Sequence, residues 1–120
     1  RENDCDAIVA VGGGSSMDAA KAIAISIANP KPLRSLAGYL KGFNNPVPIY
    51  AVPTTAGTGS EVTVAAVISD PVTNRKLVIA DTRLVPTMAA LDPLLMTGLP
   101  PAVTAALSWI AAAIPSPPRE

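Results

Sequence analysis

Short runs of apolar residues alternate with glycine-rich or polar stretches along this chain. Residues 7–11 (Ala-Ile-Val-Ala-Val) form a continuous apolar run that ends at three glycines, and residues 48–52 (Pro-Ile-Tyr-Ala-Val) form a second run that stops at Pro53. Continuous apolar runs of this length are typical of strands that are buried on both faces of a parallel sheet. A third short run, residues 88–91, ends at Asp92. We therefore predict three short buried strands.

Between the first two strands the apolar and small residues recur at helical spacing. This pattern predicts a helix from Ser15 or Ser16 to about Ile27. It places Asp18 in the first turn, where the helix dipole favours a negative charge. Residues 29–32 (Asn-Pro-Lys-Pro) end the helix, and a long connection with little periodicity follows. Strand, glycine turn and helix thus form one unit.

Residues 62–68 and 77–79 form two further runs, both rich in β-branched residues. The polar stretch between them, residues 69–75 (Ser-Asp-Pro-Val-Thr-Asn-Arg), has the composition of a turn that joins a hairpin. A helical turn is expected after Asp92-Pro93, and a last helix opens near Pro100. The pattern as a whole predicts an α/β fold with a β-hairpin excursion.

Two loops follow predicted strands and have the composition of a ligand site. The first, residues 12–16 (Gly-Gly-Gly-Ser-Ser), opens the helix and offers backbone N–H groups and a positive dipole end to a phosphate. The second, residues 54–60 (Thr-Thr-Ala-Gly-Thr-Gly-Ser), supplies hydroxyls and glycines. Each alone is also consistent with a plain connection. Together they favour a dinucleotide or phosphate ligand, because ligands of open α/β sheets lie outside the carboxyl ends of strands.

Composition excludes several other classes of function. The chain has 120 residues, with nine Lys and Arg residues balanced by nine Asp and Glu residues. It therefore has no basic field for nucleic acid or an anionic membrane surface. No apolar run approaches the roughly 20 residues that span a bilayer. The single cysteine, Cys5, excludes a disulfide within the chain and favours a reducing compartment, so we expect a cytoplasmic protein.

The charged residues do not by themselves indicate catalysis. Lys76 lies beside Arg75 in the predicted hairpin, and from composition it is a solvated charge that could also hold a ribose or phosphate oxygen. Asp18 and Asp92 are explained by a helix start and a turn. No pair of carboxylates stands out.

Three motifs resemble those of the iron-containing alcohol dehydrogenase family. They are residues 12–21 (GGGSSMDAAK), residues 53–63 (PTTAGTGSEVT), and residues 91–93 (LDP) together with 99–101 (LPP). They occur in the family's order and with similar spacing, and the resemblance covers residues 4–106. The relatives with the same domain plan, of the glycerol dehydrogenase and dehydroquinate synthase type, are the alternative, and the second motif points to the alcohol dehydrogenases.

The resemblance implies a partial Rossmann-like nucleotide-binding domain, of the dehydroquinate synthase-like kind, that binds NAD or NADP. In the complete family a C-terminal helical domain holds Fe²⁺ or another divalent metal, which polarises the oxygen of a small alcohol or aldehyde during hydride transfer. By position, the resemblance assigns Gly13, Gly14, Ser15 and Ser16 to the pyrophosphate loop, and it gives Asp18 the role of ordering the following helix. It assigns Thr54, Thr55 and Thr58 to the second cofactor loop. Val67 and Lys76 are assigned to the nicotinamide side and Leu95 to the adenosine side.

The chain departs from the family after residue 106. Where the family carries an Asp and a His that ligate the metal, this sequence has Ile110 and Ile114, and it contains no histidine. Aliphatic side chains offer a metal no lone pair. We therefore expect no metal centre and no activity of this chain alone. The expected organisation is a partial NAD(P)-binding domain over residues 1–106, an aberrant helix and Pro-rich tail over 107–120, and no C-terminal metal domain.

We therefore expect a chain that is truncated at both ends. A frameshift is the hypothesis that would explain the abrupt change, because the codons of Trp109 and Ile110 contain an Asp codon across their junction and those of Ala113 and Ile114 can contain a His codon. Sequencing the DNA tests this hypothesis. Apolar surface on Val9, Ile49 and residues 107–114 would be exposed and would favour self-association. Besides a truncated dehydrogenase, a non-catalytic nucleotide- or phosphate-binding module and a non-functional product that persists by association both remain open.

Overall fold

The computed structural model describes residues 5–103 and residue 105. In chain order, this part contains β1 (Ile8–Gly12), α1 (Gly14–Ala28), β2 (Gly38–Tyr39), β3 (Ile49–Pro53), β4 (Ala65–Asp70), β5 (Arg75–Ala80) and β6 (Met88–Ala89). Short 3₁₀ turns lie at Leu33–Leu36, Thr82–Leu84 and Pro93–Met96. The predicted α/β class is confirmed, as is the helical turn after Asp92.

The first sheet contains the three predicted strands, in the order β1-β3-β6. Their predicted burial on both faces is wrong, because only the face that carries Ala10 and Ala51 is buried. All neighbours are parallel: Ile8 lies opposite Ile49, Gly12 opposite Pro53, and Tyr50 opposite Met88. Because parallel strands share their direction, the loops after β1 and β3 begin at the same edge of this sheet.

Helix α1 covers one face of the first sheet. Small residues make the contact, since Ala10, Ala20 and Ala51 are buried together with Met17. Successive side chains of a strand point to opposite faces, and Ile49 shares the face of Ala51. Ile49 is accordingly only 3% exposed, so the expectation that it would be exposed is wrong.

The opposite face of the first sheet carries apolar side chains that are open to solvent. Val9 is 66% exposed, Val11 60% and Met88 65%. The register places Val9 beside Tyr50 and Tyr50 beside Met88, so these residues form one row across the strands. The prediction that Val9 is exposed is confirmed.

The second sheet has the order β2-β5-β4. Strands β4 and β5 form the predicted antiparallel hairpin, with Asp70 opposite Arg75 across the turn. Strand β2, which pairs with β5 in parallel, was not predicted, because the connection that contains it has no clear periodicity. Helix α1 also packs against this half of the molecule, through a cluster of Ala22, Ile25, Leu36, Ile79 and Leu84.

The ends of α1 differ in part from prediction. The helix begins at Gly14, with Gly13 at the N-cap position, and its first turn contains no acidic residue. Asp18 therefore lies in the second turn, and its predicted place in the first turn is wrong. The helix starts earlier than predicted because the glycines are part of its first turn: Gly13 O accepts from the N–H groups of Ser16 and Met17. The predicted stop is confirmed: the helix ends at Ala28, before Asn29.

Candidate functional site

Two loops lie side by side at the carboxyl edge of the first sheet. The glycine turn, residues 12–14, joins the end of β1 to the start of α1, and the threonine loop, residues 54–60, follows β3. The N–H of Thr54 donates to the carbonyl of Gly12 at 2.9 Å. The two loops that together predict a ligand site are thus in direct contact.

The absence of side chains on the glycine turn permits this contact. Gly12 has φ +148°, which side-chain-bearing residues rarely adopt, and a Cβ on Gly13 would lie 2.9 Å from Thr55 Oγ1. A Cβ on Gly14 would lie 3.3 Å from both Thr58 Cγ2 and Ser60 Oγ. The threonine loop therefore packs directly on the backbone where the helix begins.

The start of α1 gives this edge its electrostatic character. The first N–H groups of a helix have no partner within the helix, and the helix dipole places a partial positive charge there. Gly13 has an extended conformation, with φ −80° and ψ −174°, and Ser15 and Ser16 are exposed beside it. Backbone donors and hydroxyls arranged in this way suit an anionic group such as a phosphate.

The threonine loop has its own turn geometry. Gly57 and Gly59 have φ of +81° and +66°, and Thr58 Oγ1 accepts a hydrogen bond from the N–H of Ser60 at 3.4 Å. Ser60 is buried, whereas Thr54 and Thr55 are partly exposed. Of these two threonines, Thr55 presents its hydroxyl to the glycine turn, since its Oγ1 lies 2.9 Å from the position of a Cβ on Gly13.

The remaining predicted residues lie on other elements. Asp18 Oδ2 accepts from the N–H of Val67 at 3.1 Å, which ties α1 to β4. Lys76 is exposed on β5, opposite Ser69. Leu95 lies in the exposed 3₁₀ turn Pro93–Met96. The two loops thus bring together the glycines and threonines, with Ser15 and Ser16 at the helix start, while Val67, Lys76 and Leu95 lie outside them.

One residue beside the site was given no role in the sequence analysis, although it ends the motif of residues 12–21. Lys21 is 0% exposed, and its ammonium donates to Thr63 O at 2.7 Å, Thr63 Oγ1 at 3.1 Å and Ala65 O at 3.0 Å. Burial lowers the pKa of Lys21, against the opposing effect of Asp18 and Glu61. The available signal was a single lysine within an otherwise small and apolar helical stretch, three residues after Asp18.

The described residues do not fit a metal centre of the family's kind. Across residues 5–103 and 105, no three His, Cys, Asp or Glu residues lie together in a way that could hold a metal ion, and the sequence has no histidine. Ile110 and Ile114, where the resemblance places metal ligands, lie outside the described residues, as does the tail predicted over 107–120. Likewise, no helix of the described part is long and apolar enough to cross a membrane.

Known proteins resemble this chain in sequence and in fold. Residues 1–93 match the iron-containing alcohol dehydrogenase family. The probable alcohol dehydrogenase EutG of Salmonella typhimurium is 49% identical over 105 residues, which are 88% of this chain and 27% of that protein. Among crystal structures, 1,3-propanediol oxidoreductase has a TM-score of 0.86 at 45% identity, over 92% of this chain and 29% of that one.

A second crystal structure carries the cofactor. Sulfoacetaldehyde reductase from Bifidobacterium kashiwanohense, in complex with NAD⁺, has a TM-score of 0.82 at 38% identity, over 92% of this chain and 30% of that one. This chain spans little more than a quarter of the length of such relatives, and that quarter is the Rossmann-like α/β part with the glycine turn and the threonine loop. The chain belongs to the iron-containing alcohol dehydrogenase family.

Proposed function

We propose that this chain binds NAD or NADP at the carboxyl edge of its first sheet, where the glycine turn and the threonine loop meet, as the cofactor-binding part of an alcohol or aldehyde oxidoreductase. The observation that carries the proposal is the direct contact of the two loops: Thr54 N donates to Gly12 O at the end of β1, and the threonine loop lies against Gly13 and Gly14 at the start of α1. A pyrophosphate placed there meets the backbone N–H groups at the positive end of the helix dipole.

Each group of residues has a distinct role in this proposal. Gly13 and Gly14 offer backbone N–H groups to the phosphates, and Ser15 and Ser16 add N–H and hydroxyl donors at the helix start. Thr54, Thr55 and Thr58 supply the opposite wall. Val67 and Lys76 are assigned to the nicotinamide side and Leu95 to the adenosine side. Bound there, the nicotinamide would exchange a hydride with the substrate carbon.

We further propose that this chain does not complete the reaction alone. An alcohol or aldehyde oxygen has to be polarised for hydride transfer, which a metal does in this family, and the described residues offer no such centre. The names of relatives that act on 1,3-propanediol and sulfoacetaldehyde support a small alcohol or aldehyde as the substrate of a complete enzyme. The single cysteine supports a reducing location such as the cytoplasm.

Calorimetric titration with NAD and with NADP tests the cofactor site. A Gly13→Ala variant brings a methyl group within 2.9 Å of Thr55 Oγ1, in the contact between the loops. We expect saturable binding by the unmodified chain and a rise of about tenfold in Kd for Gly13→Ala, which corresponds to roughly 1.4 kcal/mol. Gly98→Ala is the matched control, since a Cβ there meets nothing within 4 Å.

The same titration separates the competing functions. Binding that is indifferent to added iron(II) or zinc(II) supports a cofactor module without a metal centre. Absence of binding to either dinucleotide would overturn the proposal and favour a non-functional product. Metal-dependent oxidation of a small alcohol by this chain would contradict its inactivity.

A further inference from the structure

We infer that Lys21 is a positioning residue that holds the segment just after the threonine loop against α1 and so sets the shape of the proposed dinucleotide site. The effect on cofactor binding rests on the proposed function, whereas the contact itself does not. Lys21 lies two helical turns after Gly14, where α1 begins, and its partners Thr63 and Ala65 follow Ser60, where the threonine loop ends.

The ammonium of Lys21 is fully used by this segment. A lysine has three N–H donors, and the three acceptors are Thr63 O at 2.7 Å, Thr63 Oγ1 at 3.1 Å and Ala65 O at 3.0 Å. The ion pairs of the described residues involve other side chains, namely Arg34 with Asp70 and Arg83 with Asp81. Lys21 is thus buried to bind backbone carbonyls and one hydroxyl.

Asp18 completes the attachment from the same side of the helix. Residues three apart on a helix are neighbours, and Asp18 Oδ2 accepts from the N–H of Val67 while Lys21 donates to the carbonyl of Ala65. Ala65 and Val67 are two residues apart on β4, so their backbone groups point to the same side of the strand, away from β5. On that side the C=O of Ala65 accepts from the ammonium of Lys21, and the N–H of Val67 donates to the carboxylate of Asp18. The helix therefore supplies the partners that a neighbouring strand would otherwise provide.

With this attachment, the backbone that contains the threonine loop is held on both sides of the loop. The threonine loop is fixed at its first residue by the bond from Thr54 N to Gly12 O, and three residues beyond its last residue by Lys21 through Thr63. Between these points Thr58 and Ser60 lie against the position of Gly14. Burying an ammonium is costly unless its hydrogen bonds are made. An apolar residue at position 21 would pack well in the helix core, but it would remove the attachment through Thr63 and leave the one at Gly12.

Amide hydrogen exchange and cofactor titration of the full chain test this inference. The variants are Lys21→Met, which keeps the length of the side chain without its donors, and Thr63→Val, which removes the hydroxyl acceptor and leaves the core of α1 unchanged. Lys41→Met, at an exposed lysine, is the control. We expect faster exchange confined to residues 54–67 and an NAD Kd raised about tenfold by Lys21→Met and less by Thr63→Val. The control should change neither.

Three results would overturn the inference. One is unchanged exchange over residues 54–67 in the folded variants. A second is faster exchange spread equally over β1 and β3, which would indicate a contribution to overall stability alone. The third is locally faster exchange with unchanged NAD affinity. If the unmodified chain binds neither NAD nor NADP, the proposed function fails by itself, and the exchange data still decide whether Lys21 fixes the loop. Should Lys21→Met not fold, Thr63→Val carries the test.

Discussion

At the scale of single residues, a few polar side chains each make several hydrogen bonds that join separate segments of the fold. Asp70 is an example: its carboxylate accepts from Arg34 at 3.0 Å, from the N–H of Val72 at 3.0 Å and from Thr73 Oγ1 at 2.8 Å. Asp81 likewise binds the guanidinium of Arg83, which reaches Gly42 O at 2.6 Å. These contacts join the hairpin and the end of β5 to the long connection between α1 and β3.

Acid should weaken the fold through Asp70. The hydrogen bond from Arg34 and the N–H of Val72 hold the pKa of Asp70 far below its ordinary value of 3.8. Between the two values the unfolded chain binds a proton that the folded chain does not. The stability from Asp70 is therefore complete above pH 3.8 and is lost as the pH falls towards the folded pKa. We expect the midpoint of urea unfolding to fall over this range.

The variant Asp70→Asn isolates this contribution. Asparagine cannot titrate, so its unfolding midpoint should depend less on pH below 3.8, although Asp81, whose pKa is lowered chiefly by the Arg83 hydrogen bond, still contributes. Asp6→Asn, at an exposed carboxylate, is the control and should keep the acid dependence of the unmodified chain. Identical pH profiles for Asp70→Asn and the unmodified chain would contradict the assignment.

At the scale of elements, the sequence predicted what strong local patterns determine. The apolar runs of β1 and β3 and the turn composition before Arg75 were sufficient for the strands and the hairpin. Strand β2 has two residues, Gly38 and Tyr39, and exists because β5 offers an edge; no periodicity can reveal such a strand. Lys21 was missed for a similar reason, since its partners Thr63 and Ala65 are 42 and 44 residues away.

The end of α1 shows how one residue can organise the connection after a helix. The buried Asn29 donates through Nδ2 to Ile25 O at 3.0 Å and to Asn44 O at 3.2 Å. Its Oδ1 accepts from the N–H groups of Phe43 and Asn44 at 2.8 and 2.9 Å. The side chain thus joins the last turn of the helix to residues 43 and 44 with all four of its hydrogen bonds.

Truncating Asn29 should destabilise this element. Asn29→Ala leaves the N–H groups of Phe43 and Asn44 without their acceptor, and we expect a loss of about 2 kcal/mol in the free energy of unfolding. Urea unfolding measures this loss. Asn45→Ala is the control, because it removes one exposed hydrogen bond of 3.4 Å from Arg83. Equal stabilities of the two variants would show that solvent replaces the bonds of Asn29.

At the scale of the whole molecule, the first sheet is covered on one face only within the described part of the chain. Helix α1 buries Ala10 and Ala51, and the other face exposes Val9, Val11 and Met88. Parallel sheets are ordinarily covered on both faces, and contiguous exposed apolar surface drives association. Two such faces can cover each other, so we expect this chain to self-associate through the Val9–Val11 side of β1.

Sedimentation velocity over a range of concentrations tests this expectation. The double variant Val9→Thr, Val11→Thr keeps β-branched side chains, which suit a strand, but makes the face more polar, so it should shift the onset of association to concentrations about tenfold higher. Val72→Thr changes a valine that is more exposed but lies in the hairpin turn, and it should leave association unchanged. If all three proteins associate alike, the contact lies elsewhere on the chain. If all three are monomers at high concentration, exposure of this face does not drive assembly, and the fold is stable with the face in water.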